Sequence, residues 1–358
     1  MLKAREAVRN LKEYHPPLGN RQGLRLDFNE NTVGCSPRVL EKLRQLDFEN
    51  LARYPEREPS EAIVARYFGL DPAEVLLTNG TDEAIHVVCE TYLEAKDEVL
   101  IVVPTFAMFE IYAATTGATV ISIPAGRDFQ FPVDEVLKRI TPATRLIAVA
   151  NPNNPTGTFV PPAHLVKIAK AAPQAALLVD EAYYHFCGET LMGEAREQEN
   201  LFVSRTFSKA YGMAGLRIGL LTGHRDQMSL LRRNSSPYNL NIAALACLPA
   251  ALADQSYVDG YVGEVKQGRA ALEKQLKARG IRYWPSRANF VLFYLGESNI
   301  AFINAMRSHG ILVRDRSRDP GCAGCVRITL GSREHNQRLM ESLSQVLANL
   351  PETEKVEQ

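Results

Sequence analysis

Short apolar runs recur along this chain, and each ends in polar, glycine-rich or proline-rich residues before a helical pattern begins. Glu74-Val-Leu-Leu77 precedes Thr78-Asn-Gly-Thr-Asp82, and Val99-Leu-Ile-Val-Val103 precedes Pro104-Thr105. Leu146-Ile-Ala-Val149 precedes Asn151-Pro152, and Ala176-Leu-Leu-Val179 precedes Asp180. Strand-like runs alternating with helical stretches predict α/β units on a largely parallel sheet. Ligands of such sheets bind beyond the carboxyl ends of the strands, where these polar clusters fall. Residues far apart in sequence are therefore expected to meet at one site.

The pattern changes towards the C-terminus. Tyr257, Val262, Val265, Leu272 and Leu276 recur among charges from Ser256 to Gly280, predicting a long helix with Gly280 as its C-cap. Ala288-Asn-Phe-Val-Leu-Phe293 reads as a strand, Ile300 to Ser308 as a helix, Gly310-Ile-Leu-Val313 as a second strand, and a closing helix runs to about Leu350. These elements predict a smaller α+β domain. At 358 residues the chain also exceeds the roughly 250 to 300 that one core usually serves. The expected division is an N-terminal arm over 1–30 belonging to the small domain, a large domain over 31–255, a small C-terminal domain over 256–350, and a disordered tail over 351–358. There is no internal repeat.

Hydrophobic residues make up 46% and charged residues 23%, and 41 basic residues balance 41 acidic ones. That balance provides no overall field to favour nucleic acid or an anionic membrane. No apolar run approaches the roughly 18 residues of a membrane span, and Met1 to Glu13 alternates charges in place of an apolar signal core, so the cytoplasm is the expected location. The six cysteines are scattered. Cys322-Ala-Gly-Cys325 is the close pair, but no second pair or nearby histidine completes a zinc set, so two free thiols in a loop and no metal are expected.

The chemistry concentrates in Thr206-Phe-Ser-Lys-Ala-Tyr-Gly-Met-Ala-Gly-Leu-Arg217. Lys209 follows an apolar run and precedes Gly212, Ala214 and Gly215, small neighbours that let a cofactor approach a lysine able to bond an aldehyde. Asp180 suits either a turn cap or an ion pair with a pyridine nitrogen, which would keep a pyridoxal ring electron-withdrawing. Tyr183, three residues on, and Asn154, before Pro155, are candidates for the ring's phenolic oxygen; Tyr184 and His185 read as packing. Asn79-Gly-Thr-Asp82 reads as a strand-to-helix turn whose free N–H groups could cradle a phosphate, or as a plain N-cap by Thr81 or Asp82. Thr206, Ser208 and Arg217 would complete that cup. Together these residues point to a pyridoxal-phosphate enzyme.

The motifs, in this order and spacing, resemble the fold-type I aminotransferases of the aspartate aminotransferase superfamily. Leu26-Asp-Phe-Asn-Glu-Asn31, Arg53-Tyr-Pro55, Ser204-Arg-Thr-Phe-Ser-Lys209, Gly215-Leu-Arg217 and Val326-Arg-Ile-Thr-Leu-Gly331 are most similar to the histidinol-phosphate aminotransferases, over about Tyr14 to Leu350. The resemblance implies a large domain with a mostly parallel sheet, a smaller α+β domain, and a homodimer. It implies that Lys209 binds pyridoxal 5'-phosphate covalently, that Asp180 faces the ring nitrogen, and that Tyr183 and Asn154 hold the ring oxygen. Phe106, where the family usually has tyrosine, would stack on the ring. Thr81, Asp82, Thr206, Ser208 and Arg217 would hold the phosphate, joined by Tyr54 from the neighbouring subunit. Tyr14, Asn31, Tyr238, Arg314 and Arg327 would contact substrate. The implied reaction moves an amino group from histidinol phosphate to 2-oxoglutarate. An aromatic or broad-range aminotransferase and a threonine-phosphate-type decarboxylase share much of this motif set, and Asp180 and Lys209 serve all three.

Overall fold

The computed structural model describes residues 2–15, 19 and 21–350; the expected tail, 351–358, lies outside the described residues. Its strands are β1 (Leu24–Arg25), β2 (Val75–Thr78), β3 (Glu98–Val103), β4 (Thr119–Pro124), β5 (Thr144–Ala150), β6 (Ala176–Asp180), β7 (Leu201–Thr206), β8 (Gly219–Gly223), β9 (Tyr283–Trp284), β10 (Phe290–Tyr294), β11 (Ile311–Leu312), β12 (Arg314–Asp315) and β13 (Cys325–Thr329). β2 to β8 form a seven-stranded sheet in the order β2-β8-β7-β6-β5-β3-β4. β7, β6, β5, β3 and β4 pair in parallel. β8 runs antiparallel to both of its neighbours, β2 and β7.

The four apolar runs became β2, β3, β5 and β6 within one or two residues of the expected bounds. All of β2 and β6 is buried, and helices cover both faces of the sheet. Each Val or Leu so enclosed contributes about 1.5 to 3 kcal/mol. β7 covers the apolar run that precedes Lys209, and two strands of this sheet coincide with no run singled out in the sequence. β8 is short and bounded by Gly219 and Gly223, residues that read as turn punctuation, and β4 is an edge strand with Thr119, Ser122 and Pro124 interrupting its apolar positions.

The expected long helix spans Gln255–Ala278, with Gly280 at φ +67° just beyond it. The helices Asn299–Ser308 and Arg333–Ala348 pack beside a four-stranded sheet ordered β12-β13-β10-β9. β1 pairs in parallel with β11, joining residues near the start of the chain to the C-terminal part. The main apolar core is continuous from one face of the large sheet into this region. Cys322 and Cys325 are free thiols buried against Trp284 and Leu292; Cys322 lies in a loop, as expected, while Cys325 opens β13. Among the described residues no helix is long and apolar enough to cross a membrane.

Candidate active site

β2, β3, β5, β6 and β7 point the same way, so their carboxyl ends open on one edge of the large sheet, where β8 begins. That edge gathers Thr81 and Asp82 after β2, Phe106 after β3 and Asn154 after β5. It also holds Asp180 at the end of β6 with Tyr183 beyond it, Thr206 at the end of β7 with Ser208 and Lys209 beyond it, and Arg217 just before β8. The flanking asparagines explain why Asn154 remains for a ligand. Asn151 exchanges two 2.8 Å bonds with the Val160 backbone, and Asn153 bonds Thr105, Pro104 and Thr156, so these two hold the loop.

Lys209 Nζ donates to the Phe28 carbonyl at 3.1 Å. Burial disfavours its ammonium form and Arg327 repels it, bringing the amine down to about 8. A neutral amine is therefore readily available near neutral pH. Beside it, the Tyr183 phenol oxygen accepts a hydrogen bond from Asn29 Nδ2 at 2.8 Å. Asn29 sits at φ +56° and is fixed by Thr329, whose hydroxyl donates to Asn29 Oδ1 and accepts from its N–H, each at 3.1 Å. Burial raises the Tyr183 pKa, so the phenol keeps a hydrogen to donate.

Asp180 is enclosed at the sheet edge, where Ser204 Oγ donates to it at 3.0 Å. Burial pushes this carboxyl up to about 7, and no lysine, arginine or histidine pairs with it among the described residues. A buried carboxylate in this state is stabilised by any cation brought alongside.

The helix Gly80–Tyr92 begins with Asn79, whose side chain makes no capping bond, leaving first-turn N–H groups open; neither expected alternative cap, Thr81 or Asp82, closes them. Backbone closeness defines this cup. A Cβ on Gly219 would stand 2.7 Å from Gly80 C and 2.9 Å from the Thr81 nitrogen. One on Gly80 would stand 2.5 Å from Arg217 Nη2. Arg217 reaches Asp82 at 2.9 Å, Thr206 Oγ1 accepts from the Ser208 N–H at 3.0 Å, and the buried Ser208 hydroxyl has no partner among the described residues.

The β12–β13 pairing sets Arg314 directly opposite Arg327. Arg327 is buried: Nη2 donates to the Asp27 carbonyl at 2.7 Å, Nη1 donates to Asn154 Oδ1, and Nε has no partner among the described residues. Burial, then repulsion from Arg316, lowers it to about 9, which leaves it charged at neutral pH. Arg314 lies over the Phe28 ring at 5.0 Å with Nη1 buried and unpartnered among the described residues, and Tyr14 lies near it. Tyr54 and Tyr238 stack on each other at 4.4 Å and are 78% and 59% exposed. Asn239 bonds the Leu77 carbonyl and Glu83, and Asn241 bonds the Leu216 carbonyl, which holds the Tyr238 segment at the rim of the phosphate cup. Asn31, expected among the substrate contacts, bonds the Ala210 carbonyl and the N–H groups of Val33 and Gly34, so its side chain also shapes the loop under Lys209.

Sequence reasoning overlooked Asn29, the Phe28 carbonyl and Arg316. Asn29 lies inside the quoted Leu26–Asn31 motif, but its partner is 154 positions away, and a backbone carbonyl has no residue signature. Tyr184 and His185 are packed, Tyr184 over Arg205 at 3.5 Å and His185 edge-on to Tyr211 at 5.1 Å. The structure meets the demands of pyridoxal phosphate at three independent points. Among the described residues, a carboxyl with no cationic partner suits a protonated ring nitrogen, a partnerless hydroxyl with open helix N–H groups suits a phosphate, and a lysine lowered to about 8 suits an aldehyde carbon.

Comparison with known proteins agrees with this site. The aminotransferase class I and II model matches residues 21–343. Histidinol-phosphate aminotransferase from Geobacillus sp. is 33% identical over 95% of this chain and 94% of its own. The enzyme of that name from Paracoccus denitrificans is 35% identical over 92% and 91%. The crystal structure of histidinol-phosphate aminotransferase from Sinorhizobium meliloti with pyridoxal-5'-phosphate superposes with a TM-score of 0.86 at 24% identity, covering 97% of this chain and 98% of that one, and shares its fold. The chain belongs to the class I and II aminotransferase family.

Proposed function

We propose that this enzyme transfers the amino group of histidinol phosphate to 2-oxoglutarate, with pyridoxal phosphate as its cofactor. The observation that carries the choice of donor is the pair Arg314 and Arg327, opposed across one strand ladder, each with an N–H group buried and unpartnered among the described residues, and Arg327 near enough to the lysine to repel its charge. The relatives at 33% and 35% identity, both named for this activity, support the same reading. When bound, the cofactor supplies an aldehyde carbon and an electron-withdrawing ring that stabilises negative charge on the donor's α-carbon.

The chain's own residues do the rest. Lys209 would hold the cofactor through its amine in the neutral form and would carry the proton from the donor's α-carbon. Asp180 would offer the ring nitrogen a buried counter-charge that favours its protonated form. Tyr183, oriented by Asn29, would donate its hydroxyl hydrogen to the ring oxygen, and Asn154, whose Oδ1 is held by Arg327, has its amide nitrogen left to offer the same oxygen. Phe106 would pack on the ring, while the Thr81 and Asp82 N–H groups, Thr206, Ser208 and Arg217 would bind the phosphate. Arg314 and Arg327 grip the donor's phosphate, with Tyr14 beside Arg314, and Arg327 takes the acceptor's carboxylate.

We place this chemistry in a cytoplasmic homodimer in which Tyr54 serves the neighbouring subunit's site, while Tyr238 lines the substrate pocket. Exposed Leu40, Phe48 and Leu51 beside Tyr54 support a partner-facing surface. The N-terminal arm grouped with the C-terminal elements forms the smaller domain in this reading, and β1–β11 pairing supports it. The test compares kcat/KM for histidinol phosphate and phenylalanine in the wild type, R314A and R327A, with product analysis on threonine phosphate. R314A should impair histidinol phosphate more than phenylalanine, and R327A should impair both. A wild type that prefers phenylalanine points to an aromatic aminotransferase, and carbon dioxide released from threonine phosphate points to a decarboxylase.

A further inference from the structure

Arg316 follows β12 and continues its ladder, its N–H donating to the Cys325 carbonyl at 3.0 Å. Being two residues beyond Arg314, it shares that residue's face and lies diagonal to Arg327 on the neighbouring strand. Its side chain is only 14% exposed, and its Nε is buried without a partner among the described residues, as are Arg314 Nη1 and Arg327 Nε. It pairs with Asp319. The other charges facing this group are accounted for. Arg21 takes Asp27 and shares Glu30 with Arg25, while Asp315 accepts bonds from Ser317 and Asn299 on the opposite face of β12. Three guanidinium groups and one carboxylate therefore leave this corner of the site with a net charge of +2. Repulsion from Arg316 is felt by both of the other arginines.

A carboxylate brings one negative charge, whereas a phosphate monoester brings close to two near neutral pH. We propose that Arg316 is a specificity-determining residue: it supplies the second net positive charge of the pocket and so selects a donor carrying a dianionic phosphate over one carrying a single carboxylate. The inference rests on the phosphate-donor reading above, and it makes the count of charges, beyond the Arg314–Arg327 pair, the source of discrimination.

The experiment measures kcat and KM of the holoenzyme for histidinol phosphate and for phenylalanine in the wild type, R316Q, D319N and the R316Q/D319N double variant. R316Q should raise KM for histidinol phosphate by about ten- to a hundredfold, the weight of one charge-assisted contact. Its effect on phenylalanine should stay within about threefold. D319N, which raises the net charge, should lower KM for histidinol phosphate and not for phenylalanine, and this arm stands if R316Q fails to fold. The double variant restores the net charge of +2 and should recover most of the loss. Equal changes for both donors, a double variant as impaired as R316Q, or an unchanged D319N would overturn the role of Arg316 while leaving the donor reading in place. A wild type with no preference for histidinol phosphate overturns both.

Discussion

Asp180→Asn should have opposite effects on the cofactor-free chain and on the working enzyme. In the free chain the carboxyl is buried with no cationic partner among the described residues, and burial pushes it up to about 7 from an ordinary value of 3.8. A folded pKa raised above the unfolded one means that the native state binds the extra proton. The stability associated with the protonated carboxyl is therefore fully present below pH 3.8 and is lost as pH rises through 7. At 1.36 kcal/mol per pKa unit, the loss by pH 7.5 is of order 4 kcal/mol, an upper bound because buried sites relax. Asparagine is close in shape and can still accept the Ser204 hydrogen bond, yet it never ionises. For a chain of this length about 4 kcal/mol corresponds to roughly 5 °C in Tm. Cofactor-free D180N should thus melt about 5 °C above the cofactor-free wild type at pH 7.5 and only about 2 °C above it at pH 5, where the loss is still about 1.7 kcal/mol. With cofactor bound, the order should reverse and kcat/KM should fall at least about a hundredfold, since an amide cannot hold the ring nitrogen protonated. Melting curves of both forms at the two pH values decide the matter. A cofactor-free D180N no more stable than the wild type at pH 7.5 would refute the argument.

Other perturbations probe separate parts of the site. Lys209→Ala should abolish covalent attachment while some cofactor remains through phosphate contacts; borohydride reduction and peptide mapping check this, and a tag on another lysine would sink the assignment. Tyr54→Phe should weaken cofactor retention by about 1.5 to 3 kcal/mol without unfolding the chain, read by equilibrium dialysis. A fully active monomer would remove the trans contact. Gly219→Ala should drive a methyl group into the Gly80–Thr81 backbone and cost about 1 to 3 kcal/mol in stability together with phosphate affinity. Unchanged cofactor binding in G219A would mean that the cup is not where the phosphate sits.

Much of the sheet was legible because a buried strand must be apolar and its end must be polar, two conditions that fall on consecutive residues. Asp180, Asn154 and Lys209 all lie within a few residues of such an end and are visible for that reason. Arg316 was not, because a guanidinium in Arg314-Asp315-Arg316-Ser317-Arg318 looks solvated until β13 is laid against it. Asn29 and Asn31 are indistinguishable locally, and only the fold decides that one orients Tyr183 while the other ties down the Lys209 loop. The direction of β8 was hidden for another reason: three residues between two glycines carry no mark of parallel or antiparallel pairing.

The threading of residues 24 to 29 through the C-terminal part bears on how the protein is made. Leu26 accepts from the Thr329 N–H, Asp27 from Arg327, and Asn29 exchanges hydrogen bonds with the Thr329 hydroxyl, contacts 300 or more positions apart. The large sheet, by contrast, is complete in sequence at Gly223. At about 5 to 20 residues per second, roughly 100 further residues take a ribosome about 5 to 20 s to add. Throughout that interval the strand that secures Phe28 and Asn29 does not yet exist. The nascent enzyme can form its scaffold early, but the carbonyl that holds Lys209 and the amide that aims Tyr183 settle only after β13 has left the ribosome, so cofactor capture waits on that strand and not on the sheet that carries the lysine.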